Sequence, residues 1–154
     1  MFDKMVFQAI KTRLAATVPF AKHVGVGLTD ISRGKATAVL PDEKFNHNHI
    51  GTQHAGALFT LADTASGAAL TAVFGQKILG LVPRVRDAQV RYLHGARGEI
   101  TANAQVEGDL DEIETAVERD GKAEAPVNVS LVDKDGTVVA EMTVNWHVSK
   151  PKKK

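Results

Sequence analysis

Apolar positions in this chain switch between two spacings, and the switches divide it into elements. Phe2, Val6, Ile10 and Leu14, with Met5 and Ala9 beside them, recur at helical spacing, and Pro19 ends the run. Val24, Val26 and Leu28 then alternate with Gly25, Gly27 and Thr29, which predicts a strand. Ser32-Arg33-Gly34 predicts a turn, and Lys35 to Leu40 a second strand closed by Pro41. A polar loop without periodicity runs from Pro41 to Gln53, and a long helix is predicted from His54 to Phe74. At ~1.5 Å per residue that helix is roughly 30 Å long, enough to cross a small domain. Val82 to Leu93 reads as a strand in which Pro83 marks an edge or a strand start. His94 to Gly98 is a turn, and Ile100 to Val106 alternates cleanly. Leu110, Ile113 and Val117 predict a short exposed helix capped by Asp109 and stopped by Gly121. Strands at Val127–Asp133 and Thr137–Val148 flank Asp135-Gly136, a strong hairpin signal.

Strands grouped around one long apolar helix predict an α+β domain, an antiparallel sheet curled around that helix. On the helix, Leu58, Leu61, Ala65, Ala68 and Ala72 form one stripe, and Phe59, Asp63, Leu70 and Phe74 lie opposite. Two apolar faces require two covers. One is the protein's own sheet. The other is a partner subunit, a ligand, or both.

Composition narrows the possibilities. The 154 residues suffice for one domain, 1–154, with 1–19 as an N-terminal helix and 150–154 as a frayed basic tail. A net charge of +1 gives no global electrostatic case for nucleic acid or a membrane surface, and neither is expected as a partner. The absence of cysteine excludes disulfides, thiolate metal sites and cysteine nucleophiles. The first twenty residues mix Asp3, Lys4, Lys11 and Arg13 with apolar positions, so no secretory core is seen and a cytoplasmic location is expected. His47, His49 and His54 have usable metal spacing, but the only nearby acids are Asp42 and Glu43; no metal or other cofactor is expected.

One charge changes this picture. From Phe45 to Gln76 the only formally charged residue is Asp63, in the middle of the apolar helix. A carboxylate there is costly unless it is paired or used. Around it the chain reads Asn48-x-x-Gly51-x-x-His54-Ala55-Gly56, then Leu61-Ala62-Asp63-x-Ala65-x-Gly67. With Tyr92-Leu93 and Ala96-Arg97-Gly98-Glu99-Ile100-x-Ala102, this pattern resembles the hotdog-fold acyl-CoA thioesterases, in particular the phenylacetate-pathway type and related thioesterase-like proteins. The resemblance spans about His23 to Val148. It implies a curved antiparallel sheet wrapped around a long central helix, an acyl-CoA substrate, and a site formed between subunits of a homodimer or tetramer. Ala55 replaces the middle glycine of the family's His-Gly-Gly triplet, and Val85 stands where some members carry a hydroxyl.

Under that resemblance Asp63 is the general base or nucleophile, and the Ala55 N–H at the helix start donates to the oxyanion. Asn48 holds the water or the thioester carbonyl, and His54 holds the carbonyl or fixes the loop. Gly51, Gly56, Phe59, Arg97 and Gly98 contact substrate, with Arg84, Arg86 and Arg91 as further candidates for coenzyme A phosphates. Two alternatives stay open at this point: a non-catalytic binder of acyl-CoA or a lipid-like ligand, and a hydratase or dehydratase on the same scaffold.

Overall fold

The computed structural model describes residues 4–154. Phe2, the first position of the N-terminal helical pattern, lies outside them. The helix α1 spans Lys4–Thr17. Pro19 ends it but also opens a second helix, α2 (Pro19–Val24), where a missing N–H and a fixed φ suit the first helical position. The alternation that predicted a strand from Val24 is therefore misleading. Val24 closes α2, Gly25 caps it in the left-handed conformation (φ 92°), and β1 runs only over Gly27–Ser32. Strand β2 (Lys35–Leu40) returns from the predicted turn.

The long helix α3 spans Ala55–Phe74, capped by His54 and stopped at Gly75. Its many alanines favour helix and carry little bulk. After a short tight helical segment, Gly75–Gly80, β3 runs over Val82–Tyr92 and β4 over Ile100–Val106. Helix α4 (Leu110–Asp120) has the predicted Asp109 cap and Gly121 stop. It is not simply exposed, since Ile113 and Val117 are buried and the helix packs on β5. Strand β5 spans Lys122–Val132 and β6 Val138–Ser149.

β5 begins five residues before its predicted start because Pro126 does not break it. Pro126 pairs with Asn145 of β6, and its carbonyl accepts the Glu107 N–H (2.8 Å), just beyond the last β4 residue. The missing proline N–H therefore costs no rung of the β4 ladder, which ends at Val106–Val127. The tail also starts later than predicted: Lys150 N–H donates to the Gly121 carbonyl (2.8 Å), and only Pro151 onward lacks such ties.

The six strands form one sheet in the order β1-β2-β4-β5-β6-β3, every pair antiparallel. The sheet curves around α3, as the resemblance implies, and α3 packs on β2, β4 and β5. Small residues meet across this contact. Ala36 and Ala38 oppose Ala104 and Ala102 on the sheet, and Ala65, Ala68 and Ala72 face it from the helix, all buried. Small side chains on both surfaces let the helix axis lie close over the strands. The stretch Ala55–Gly80 is long and apolar enough to cross a membrane by length and composition, but most of it is buried as the core helix.

One expected feature of the second helix face is not found. Leu70 and Phe74 are 1% and 5% exposed, so they belong to the core rather than to an open face. Leu70 lies beside Ile10 and Leu14 of α1 and Ile78 of the tight segment. The residues of α3 left partly or fully exposed are Ala55, Gly56, Phe59, Asp63, Thr64, Gly67 and Thr71, one narrow stripe.

Candidate functional site

The start of α3 is built by its own loop. His54 N–H donates to the Asn46 carbonyl (2.7 Å), and Gln53 N–H to the Ala96 carbonyl (2.8 Å), which ties the helix start to the turn after β3. The His54 ring folds back over the first turn, where Nδ1 accepts the Gly56 N–H at 2.8 Å. Because Nδ1 accepts, the proton of the neutral ring sits on Nε2. Gly56 suits this cap: a Cβ there would lie 3.0 Å from His54 Nδ1, and the ring would have to shift to make room. The Ala57 and Leu58 N–H groups both donate to the His54 carbonyl. Among the described residues this leaves the Ala55 N–H without an acceptor at the positive end of a 20-residue helix. That is the geometry an oxyanion donor needs.

The Asn48 amide is engaged within its loop. Oδ1 accepts the Ile50 and Thr52 N–H groups, each at 3.0 Å, and Nδ2 donates to Thr52 Oγ1 at 2.7 Å. This is the local turn asparagine commonly makes. Only the second Nδ2 hydrogen remains for any other partner. Gly51 completes the same turn, with a left-handed φ of 77° and its N–H on the Asn48 carbonyl (3.2 Å).

Asp63 lies two turns into α3, at roughly 12 Å of helical rise from Ala55. It is half-buried, and no hydrogen bond or ion pair reaches its carboxylate from the described residues. Burial raises its pKa above the ordinary carboxylate value. A salt-bridged structural aspartate is thereby excluded within the described chain. The carboxylate lines a cleft of about 200 Å³ bounded otherwise mainly by apolar side chains, among them Leu14, Val18, Leu28 and Trp146.

Phe59 is 37% exposed, one turn before Asp63 on the same stripe. Arg97 is exposed, and the structure gives it no partner among the described residues. Gly98 takes a left-handed φ of 73°, and its carbonyl accepts from Gln53 Nε2 at 2.9 Å. Arg86 lies beside Glu124 at 3.6 Å. Two of the three loop histidines are engaged: His54 by the helix cap, and His47, whose Nε2 is 2.7 Å from Asp42 Oδ1. Among the described residues no three His, Asp or Glu side chains converge.

Three contributors escape reasoning from spacing. Tyr92, at the end of β3, donates its hydroxyl to the Ala55 carbonyl at 3.2 Å and so ties the edge strand to the helix start. Gln53, 3% exposed, donates from Nε2 to the Pro41 and Gly98 carbonyls and clasps two loops together. Trp146 of β6 donates Nε1–H to Ser66 Oγ (3.0 Å), and Ser66 donates to the backbone carbonyl of Asp63 (2.7 Å). A part-buried indole needs a partner for its N–H, and a serine inside an apolar helix is one signal for it. Val85 pairs with Trp146 across the β3–β6 ladder, beside a bulge before Asp87.

Solved structures share this architecture. A Pseudomonas aeruginosa protein of unknown function, PA5026, described as a probable thioesterase, is similar at 27% identity, with a TM-score of 0.82 over 94% of this chain and 96% of that one. The Escherichia coli PaaI protein from the phenylacetic acid degradation operon is similar at 20% identity, TM-score 0.73, over 96% and 94%. Thioesterase HI1161 from Haemophilus influenzae is similar at 15% identity, TM-score 0.72, over 90% and 87%. No curated protein sequence matches the chain. A domain of unknown function, DUF4442, matches residues 7–148, nearly the whole chain. With its sheet, central helix and structural neighbours together, the chain is a hotdog-fold protein of the thioesterase superfamily and belongs to the DUF4442 family.

Proposed function

We propose that this protein hydrolyses the thioester of an acyl-CoA, releasing a free acid and coenzyme A. One observation carries the reading: Asp63 holds a carboxylate without a partner among the described residues, in apolar surroundings and on the open stripe of α3. Thioesterase descriptions attach to the structural neighbours PA5026 and HI1161. In the reaction, Asp63 removes a proton from water and the resulting hydroxide adds to the thioester carbonyl. The Ala55 N–H receives the negative charge that develops on the carbonyl oxygen. Collapse breaks the carbon–sulfur bond, and the departing thiolate takes the proton back from Asp63. Direct attack by Asp63 gives a mixed anhydride that water then cleaves, with the same products. A raised pKa makes the carboxylate a stronger base near neutral pH.

Ala55 and Asp63 of one chain are too far apart to serve one thioester. The reading therefore joins the Ala55 of one protomer to the Asp63 of a second, in a two-fold homodimer or a tetramer of such dimers. The open edge of the sheet supports this: β3 is 11 residues long, has a neighbour on one side only, and carries Tyr92 to the start of α3. Asn48 acts through its remaining amide hydrogen or through the loop it shapes, and His54 through Nε2–H. Arg97 and Gly98 offer charge and an open turn to the phosphates of the coenzyme. The same reading makes the protein a cytoplasmic enzyme.

A panel of acyl-CoA thioesters assayed for thiol release tests the proposal. Turnover of at least one member, lost in Asp63→Asn, is expected. If no thioester in a broad panel is cleaved by folded protein, the enzyme reading falls. Sedimentation should show a dimer or larger at micromolar concentration, and a stable monomer would remove the two-chain site.

A further inference from the structure

Gln53 precedes the cap of α3 and is 3% exposed. It grips the turn after β3 at two points, one on each side of Arg97. Its backbone N–H donates to the Ala96 carbonyl (2.8 Å), and its Nε2 donates to the Gly98 carbonyl (2.9 Å). The other Nε2 hydrogen goes to the Pro41 carbonyl (3.0 Å), so the amide cannot turn over without losing both bonds. Oε1 is buried and has no partner among the described residues. An orphaned acceptor destabilises a fold, and an apolar side chain of the same size would avoid it. Packing alone therefore does not account for an amide here, whereas its two donated bonds do. Between the two gripped carbonyls, Arg97 is exposed and has no partner among the described residues. Two residues beyond Gln53 comes the Ala55 N–H, likewise without an acceptor among them.

We infer that Gln53 is a positioning residue: it fixes the Arg97 backbone against the start of α3, so that a phosphate on Arg97 and a thioester carbonyl on the Ala55 N–H are held in register. The inference rests on the thioesterase reading and adds what couples the two binding ends of that site. Gln53 is too buried to touch substrate, so its effect passes through Arg97. A guanidinium on a loose turn gives up chain freedom when it pairs with phosphate, and one on a turn already fixed does not. Loss of the Nε2 bonds frees the Gly98 side of the turn. The Gln53 N–H still holds Ala96, and Tyr92 still holds the Ala55 carbonyl. The helix start is therefore spared, and the cost falls on recognition of the phosphate-bearing end rather than on the chemical step.

A double-mutant cycle tests this role. Gln53→Met keeps the bulk and removes the donors, and it is compared with Arg97→Ala and with the double variant. Each protein is assayed on the acyl-CoA that the native protein cleaves fastest, and on the N-acetylcysteamine thioester of the same acyl group, which has no phosphate. Gln53→Met should raise KM for the acyl-CoA about tenfold, leave kcat within about threefold, and leave kcat/KM for the truncated thioester within about twofold. In the Arg97→Ala background the same substitution should move KM for the acyl-CoA by less than about twofold. Calorimetric titration with coenzyme A alone should show the same pattern in Kd, with no turnover required. Gln53→Asn, one methylene too short to reach Gly98, should behave as Gln53→Met does. If thioesters are cleaved but Gln53→Met leaves KM unchanged, affects both substrates equally, or acts equally with and without Arg97, the positioning role is overturned and hydrolysis stands. If no thioester is cleaved yet coenzyme A binds with the Arg97-dependent loss, the positioning role stands as binding and the enzyme reading falls. If neither cleavage nor coenzyme A binding occurs, both fall. Failure of both Gln53 variants to fold makes the amide structural and overturns the inference.

Discussion

The helix α3 carries two faces of opposite character. Leu58, Leu61, Ala65, Ala68 and Ala72 are at most 4% exposed and meet small residues of the sheet. Ala55, Phe59, Asp63 and Gly67 remain open to varying degrees, and they carry an N–H and a carboxylate without partners among the described residues, an exposed aromatic ring and the contact with Trp146. One face is explained by packing alone. The other contains what packing leaves unexplained, and that contrast marks the candidate site.

The contrast breaks most readily at Asp63. Asp63→Asn keeps size and shape, so it should fold and assemble as the native protein while kcat falls by about 10³-fold, the scale of a lost general base. Retained turnover would show that the open face is not catalytic. The mirror experiment is Leu61→Ala on the buried face, where the side chain is 0% exposed. It should cost about 2–4 kcal/mol in denaturant unfolding and leave kcat of the folded fraction nearly unchanged. A smaller effect lies at the helix start. His54→Ala removes the acceptor of the Gly56 N–H, and should cost about 1 kcal/mol. Its effect on rate tells whether Nε2–H also serves the substrate.

The smallest effect is one of sign. Burial raises the Asp63 pKa, so the folded state holds that proton more tightly than the unfolded chain. The group's contribution to stability is complete below its unfolded pKa and is lost as pH rises toward the raised folded value. Melting temperatures of the native protein and Asp63→Asn should therefore diverge in favour of the variant as pH rises through that window, then run parallel. Parallel curves throughout would mean that the carboxylate is not desolvated.

Much of this was legible in the chain itself. The α3 stripe, the Asp109 and Gly121 caps and the β4 alternation all stand in the structure because each depends on residues close in sequence. The failures share a cause of the opposite kind. Val24 alternates like a strand residue, but it lies at the end of a helix that Pro19 reopens. The strand predicted from Val127 starts at Lys122, because Pro126 sits where the β4 ladder has already ended. Leu70 and Phe74 look like an open face until α1 and the Gly75–Gly80 segment close on that side. In the site, the lone charge at Asp63 and the helix start at Ala55 could be read from composition. The loop partners of the Asn48 amide, the Tyr92 hydroxyl and the Gln53 clasp depend on atoms brought together by the fold.

Gly67 and Trp146 are 79 positions apart in sequence but share one boundary. A methyl group on residue 67 would stand 3.3 Å from the indole Cζ2. A larger residue at position 67 would make the indole give way by a few tenths of an ångström. Wherever descent has enlarged the first, the second is expected to have shrunk to match, and the width of the cleft beside Asp63 would be inherited as a matched pair rather than as two independent letters.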